Sequence, residues 1–165
     1  MTTQIGILSD THLLGPAPRF RLLVERCFAD VPVILHAGDL TDLSILDAFH
    51  GKEVHAVHGN MCHASARHHL PEKKVVEIDG YTIGLIHGMG WRHHVEDHLL
   101  REFPEVDCIV SGHTHQPVCH RLYDILFINP GSFTGTGRYG AAGTYALLET
   151  GPILHGKILP VPPLD

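Results

Sequence analysis

What the chain lacks narrows its class first. Its 165 residues contain no apolar run near the roughly 20 residues that a membrane-spanning helix requires, so no membrane association is expected. Basic residues are scarce: 12 Lys plus Arg against 18 Asp plus Glu give a net charge of −6, which argues against an extended surface for a nucleic-acid backbone. The four cysteines, Cys27, Cys62, Cys108 and Cys119, include no Cys-x-x-Cys pair, and no secretory leader precedes the first apolar run. A reduced, cytoplasmic protein with its thiols in the core is therefore expected. Charged residues at 18% beside hydrophobic residues at 44% exclude a disordered chain, and the length suits a single domain over residues 1–165.

Histidine is what the chain has in excess, 16 in 165 residues, so any one His pair carries little weight. Position discriminates better. The apolar run 4–8 stops at Ser9-Asp10-Thr11-His12, and the run 33–36 leads into Ala37-Gly38-Asp39. The run 53–57 ends in His58-Gly59-Asn60, the run 81–86 in His87-Gly88, and the run 108–110 in Ser111-Gly112-His113-Thr114-His115. Each reads as a strand, and open α/β sheets gather their ligands beyond the carboxyl ends of their strands. Gly112 is expected to turn the backbone so that the imidazoles of His113 and His115 aim at one point. Asp10, His12, Asp39, Asn60, His87, His113 and His115 make seven candidate ligands, enough for two adjacent ions if one carboxylate bridges them, a recurrent device for phosphoester hydrolysis.

Between these runs, Phe20, Leu23, Val24, Cys27 and Phe28 recur at helical spacing and predict an amphipathic helix. Residues 43–49, with Thr41 or Asp42 near the N-cap and Gly51 as the stop, predict a second; Trp91, Val95, Leu99 and Phe103, closed by Pro104, predict a third. Residues 61–71 lack periodicity and read as a surface loop over the crevice. Asp79-Gly80 between runs 74–78 and 81–86 marks a hairpin. Runs 120–123 and 125–128, joined at Asp124, and runs 144–148 and 156–160 read as further strands. Residues 135–143 are glycine-rich without the spacing of a phosphate-binding loop. His36, just before Asp39, reads as structural or as orienting a ligand.

The five blocks Asp10-Thr11-His12, Gly38-Asp39, Gly59-Asn60, His87-Gly88 and Gly112-His113-Thr114-His115 follow the order of the calcineurin-like metallophosphoesterases. The chain most resembles the small single-domain branch that includes YfcE-type phosphodiesterases and the retromer subunit Vps29, and Asn129-Pro130-Gly131-Ser132 is also similar to that branch. The resemblance covers residues 4 to about 150. It implies an α/β fold, a four-layer α/β sandwich in which two mixed β-sheets pack face to face with helices outside. It further implies that Asp10, His12, Asp39 and His115 bind one metal ion, with Asp39 bridging to a second ion held by Asn60, His87 and His113. Hydroxide between the ions would attack phosphorus in line. Such ligation suits Mn, Fe, Zn or Ni better than Mg or Ca, and the resemblance favours manganese. The implied substrate is a small-molecule phosphodiester or phosphomonoester, the diester preferred; members of the branch often pair, which leaves a homo-oligomer open.

One block departs from the pattern. The wider family often follows Asn with a His that touches substrate and protonates the leaving group, and the small branch commonly shows Gly-Asn-Cys-Asp with a nearby Arg. Here the order is Gly59-Asn60-Met61-Cys62-His63. Met61 has no proton to donate, so His63 or Arg67 is expected to supply the contact, His63 joining Asn60 and His87 as a catalytic candidate. Three other classes compete. A non-catalytic Vps29-like interaction protein with a vestigial site is opposed by seven filled ligand positions. A zinc amidohydrolase carries its His-x-His pair on the first strand of a barrel of about 250 residues. A structural zinc module needs a closely spaced Cys/His quartet that the chain lacks.

Overall fold

The computed structural model describes residues 1–135 and 142–165. In chain order the elements are β1 (Gln4–Leu8), α1 (Pro18–Phe28), β2 (Val33–His36), a 3-10 helix (Leu43–Phe49), β3 (Glu53–Ala56), α2 (Ala64–His69), β4 (Lys73–Ile78), β5 (Tyr81–Ile86), α3 (Val95–Glu102), β6 (Cys108–Val110), β7 (Val118–Leu122), β8 (Ile125–Asn129), β9 (Thr144–Glu149) and β10 (His155–Pro160). One sheet runs β10-β9-β1-β2-β3, with β1, β2 and β3 parallel and β9 and β10 antiparallel; the other runs β4-β5-β6-β8-β7, with β5, β6 and β8 parallel between antiparallel edges.

The period-2 alternation of strand side chains divides the apolar residues among three interfaces. Ile5, Ile7, Val33 and Leu35 face the other sheet and pack with Ile83, Leu85, Val110 and Ile128. Leu8 and Ile34 point the other way, beneath Phe20, Val24 and Phe28 of α1 and Ile45 and Phe49 of the 3-10 helix. On the far side, Ile86, Ile109 and Phe127 take Leu99 and Phe103. The result is helix, sheet, sheet, helix: the four-layer sandwich. Phe28, fully buried and edge-on to Tyr145 at 5.2 Å, illustrates what holds a helix layer down, since such burial contributes about 1.5–3 kcal/mol.

Local details correct several expectations. Residues 43–49 wind as a 3-10 rather than an α-helix; Asp42 caps it through Ser44 N at 2.9 Å and Ser44 Oγ at 2.6 Å, and Ile45 and Phe49 still reach the core. Within the supposed loop 61–71 lies α2, whose single buried residue, Ala66, leaves no apolar periodicity to read. Helix α3 starts at Val95, not Trp91, because Gly88, Gly90 and His94 adopt left-handed backbones that no continuous helix allows. Trp91 instead stacks on His98 at 5.1 Å. Asp79 and Gly80, with φ of 51° and 82°, make the expected primed turn, and Tyr123 and Asp124, at 51° and 65°, make another. Most of the glycine-rich stretch, residues 136–141, lies outside the described residues. Among the described residues no helix is long and apolar enough to cross a membrane.

Candidate metal centre

The parallel strands of both sheets end along one edge, and their loops interlock there. Asp10 N donates to Gly38 O at 2.9 Å and His12 N to Asp39 O at 3.0 Å, which ties the loops after β1 and β2. Within the second sheet, Gly112 N donates to His87 O at 3.1 Å; between the sheets, His113 N donates to Asp10 Oδ2 at 3.1 Å and His87 Nδ1 to Ala37 O at 2.7 Å. Seven side chains from five loops thereby share one small volume.

Two groups emerge. Asp10, His12 and His115 bring ligand atoms within 4.8 Å of one another, and so do Asp39, His87 and His113. In the first, Asp10 Oδ1 lies 3.1 Å from His115 Nε2 and 3.6 Å from His12 Nε2. In the second, Asp39 Oδ2 lies 3.2 Å from His87 Nε2, while Asn60 Oδ1 lies 3.1 Å from His87 Nε2 and 3.2 Å from His113 Nδ1. Asp39 Oδ2 also faces the first group, 3.8 Å from His12 Nε2. All seven predicted ligands are thus brought together.

Each carboxylate is tethered by one oxygen and open at the other. Asp10 Oδ2 accepts from Ser9 Oγ at 2.6 Å as well as from His113 N, which leaves Oδ1 toward the imidazoles. Asp39 Oδ1 accepts from Met61 N at 2.6 Å, which leaves Oδ2 between the two groups. Burial opposes the ionisation of both acids, but the histidines around them outweigh it. His115 and His12 hold the Asp10 carboxyl well below the usual carboxylate range, and His87 with the Met61 amide lowers that of Asp39. Burial likewise disfavours a charged His87, yet the Asp39 bond and the two carboxylate charges raise its pKa. His113 is lowered, by burial and by the charge of His87.

The donor set fits metal ions on structural grounds. His87 Nδ1 gives its proton to the Ala37 carbonyl, so a neutral ring points a lone pair from Nε2 at the oxygens of Asp39 and Asn60. A proton or a cation must lie between them. His12 Nε2 is buried without a hydrogen-bond partner among the described residues, although two carboxylate oxygens lie just beyond hydrogen-bonding range. Mixed imidazole, carboxylate and amide donors suit a transition-metal cation at both positions.

The backbone reinforces this reading. Asp10, His12, Asp39, His113 and His115 all adopt left-handed conformations, with φ of 54°, 49°, 53°, 70° and 60°. Such strain costs of order 1–3 kcal/mol per residue and persists only where surrounding structure over-determines it. The turn expected at Gly112 is therefore made by His113 and His115 instead. Gly112 is required for close approach: a Cβ there would stand 2.8 Å from Asp10 Oδ2 and 3.1 Å from Ala37 O.

Several supporting residues escaped the sequence pattern. Asn129 donates through Nδ2 to Gly112 O and Thr114 Oγ1, both at 3.0 Å, which braces the loop of His113 and His115. Ser132 Oγ donates to Asp10 O at 2.9 Å and Thr134 Oγ1 to Thr11 O at 3.0 Å. Only the Asn129-Pro130-Gly131-Ser132 block hinted at them. His36 is fully buried; its Nδ1 accepts from Gly38 N at 3.1 Å, so Nε2 carries the proton and faces Thr11 Oγ1 at 3.3 Å. Burial pushes its pKa down to about 4.

His63 is in neither ligand group. It begins α2, half-exposed, with Nδ1 3.4 Å from Asp42 Oδ2. Arg67, exposed on the same helix, donates through Nη2 to Asn60 O at 2.6 Å. His94 pairs with Asp97 at 3.6 Å, away from the centre.

Residues 3–151 match the family model described as the calcineurin-like phosphoesterase superfamily domain. A probable metallophosphoesterase of Methanocaldococcus jannaschii is 41% identical over 139 residues, covering 81% of this chain and 69% of that protein. Two solved structures share the fold. An archaeal phosphodiesterase aligns with a TM-score of 0.71 at 23% identity, over 95% of this chain and 100% of that one. Vps29 from Entamoeba histolytica, solved in complex with zinc, aligns with a TM-score of 0.72 at 22% identity, over 97% and 100%. With the family model spanning nearly all of the sandwich and its signature loops meeting at one edge, the chain belongs to the calcineurin-like phosphoesterase superfamily.

Proposed function

We propose that this protein is a two-metal phosphoesterase acting on small-molecule phosphodiesters. The observation that carries the reading is the open oxygen of Asp39, which stands between two groups of nitrogen and oxygen donors. Asp10, His12, Asp39 and His115 would hold one divalent ion, and Asn60, His87 and His113, with Asp39 shared, the other. Manganese is the preferred ion, with iron, zinc and nickel compatible with the donors. Two such ions supply an acidified water nucleophile and neutralise charge on the phosphoryl oxygens.

The chain's own residues supply order and proton transfer. Ser9, His113 N and Met61 N fix the two carboxylates, and the Ala37 carbonyl fixes the tautomer of His87. His63 is assigned the proton donor to the leaving group: its Nδ1 faces Asp42, which directs Nε2 away from that carboxylate. A second reading, an interaction protein of the Vps29 kind, draws on the exposed Met61 that stands beside Asn60 where a proton donor is absent. Metal content alone does not separate the two, because a Vps29 has been solved with zinc.

The test is elemental analysis of the purified protein together with hydrolysis of bis(p-nitrophenyl) phosphate with and without Mn²⁺. About two metal equivalents and Mn-dependent turnover, both lost in Asp39→Ala, support the phosphoesterase. Bound metal without turnover favours the interaction protein.

A further inference from the structure

The peptide unit between Asn60 and Met61 is gripped at both ends. Its carbonyl oxygen accepts from Arg67 Nη2 at 2.6 Å, and its N–H donates to Asp39 Oδ1 at 2.6 Å. A cationic guanidinium, a peptide dipole and a carboxylate therefore form one chain of hydrogen bonds, in which each member polarises the next. The same peptide carries the side chain of Asn60, whose Oδ1 faces His87 and His113. Helix α2 anchors the far end, with Arg67 N donating to His63 O at 3.1 Å.

We infer that Arg67 is a positioning residue for the second ion's subsite, acting through the Asn60–Met61 peptide on Asn60 and Asp39 at once. The inference rests on the two-ion reading above. Its geometry explains why an exposed arginine spends a donor on a carbonyl. Without that bond the peptide keeps only its Met61 N–H grip on Asp39, and a tilt about that bond would swing the Asn60 amide away from His87 and misalign the Met61 N–H on Asp39. With it, Asp39 Oδ1 stays engaged and Oδ2 stays available between the two donor groups. The subsite built from Asn60, His87 and His113 depends on this peptide directly; the one built from Asp10, His12 and His115 shares only Asp39 with it.

The experiment is a calorimetric titration of metal-stripped full-length protein with Mn²⁺, comparing wild type, Arg67→Ala and Arg67→Lys. Groups that orient metal ligands typically set affinity by 10- to 100-fold, so Arg67→Ala is expected to weaken one of the two equivalents by about that factor and the other far less. Arg67→Lys keeps an N–H donor for the Asn60 carbonyl and is expected to recover most of the loss. Two equivalents in wild type with unchanged affinities in Arg67→Ala would overturn this inference alone. Equal weakening of both equivalents, with no rescue by lysine, would also overturn it, as a general disturbance of the loop. A wild-type protein that takes up no second equivalent would remove the two-ion reading and this inference with it.

Discussion

Gly59→Ala strikes the candidate centre where three of its parts touch. A Cβ at this position would overlap the Asp39 carboxylate and stand 2.7 Å from the Asp39 backbone nitrogen and 2.8 Å from Cδ2 of His87. None of these neighbours can retreat: the amide is backbone, and His87 is 1% exposed and held to Ala37 O at 2.7 Å. Forcing extra atoms into a filled site costs about 1–3 kcal/mol. At roughly 2–4 °C per kcal/mol for a chain of this size, the metal-free variant is expected to melt about 2–12 °C below wild type. Displaced side chains would also cease to converge on an ion. Saturating Mn²⁺, which contributes about 2.7 kcal/mol at 100 times its Kd, should then raise the melting temperature of wild type and not of the variant. Gly15→Ala is the control, since a Cβ there meets only Ser44 Oγ at 3.9 Å. Thermal melts of the three proteins with and without Mn²⁺ read both effects. A Gly59→Ala protein that melts with wild type and responds equally to Mn²⁺ would refute the reasoning.

Three further outcomes are expected. His36 binds a proton less readily when folded, at about 4 against an ordinary 6.5, so its contribution to stability is intact above pH 6.5 and falls away toward pH 4. The loss is about 3 kcal/mol, and urea melts of metal-free His36→Gln should show a shallower decline over that window than wild type does. Asn129→Ala removes the Nδ2 bonds to Gly112 O and Thr114 Oγ1, which keep Thr114 N and Gln116 N as donors, and takes the acceptor from Gly131 N; a cost of about 1–3 kcal/mol in denaturant melts should accompany weaker metal uptake in titrations, because His113 and His115 flank Thr114. His63→Ala is expected to slow hydrolysis of alkyl phosphodiesters by about 10²–10⁴-fold while nitrophenyl esters, whose leaving group needs no proton, change little; identical ratios on both substrates would take His63 out of the donor role.

Strand ends were the legible part of this molecule. The runs before Asp10, Asp39, Asn60, His87 and His113 are short and each leads into its polar residue, so the strand-end placement of all seven candidate ligands is legible in the sequence. What joins them is not. The left-handed backbones of Asp10, His12, Asp39, His113 and His115 carry no compositional mark, because they are imposed by contacts such as His12 N to Asp39 O that bridge distant stretches. Helix α2 was invisible for a different reason: one buried alanine in six residues gives no period to detect. The sequence suggests Gly112 as the turn residue, whereas it serves by having no side chain against Asp10 and Ala37. Asn129 closes β8, where the sequence offers no sign of its reach, and only its two bonds across to the histidine loop reveal its part.

Each donor group draws on both sheets. Asp10 and His12 follow a strand of one sheet and His115 a strand of the other, just as Asp39 opposes His87 and His113. An ion at either place would act as a rivet through the sandwich, resisting shear between layers otherwise held here by packing and by a few hydrogen bonds such as Phe133 N to Ser9 O at 3.0 Å. A slip of one sheet by a single residue, about 3.3 Å along its strands, would pull both groups apart together. Were the two places occupied, occupancy and the stiffness of this edge would be linked, and removal of the ions would be expected to loosen the sandwich at its mouth more than at the opposite end, where no such donor group lies among the described residues.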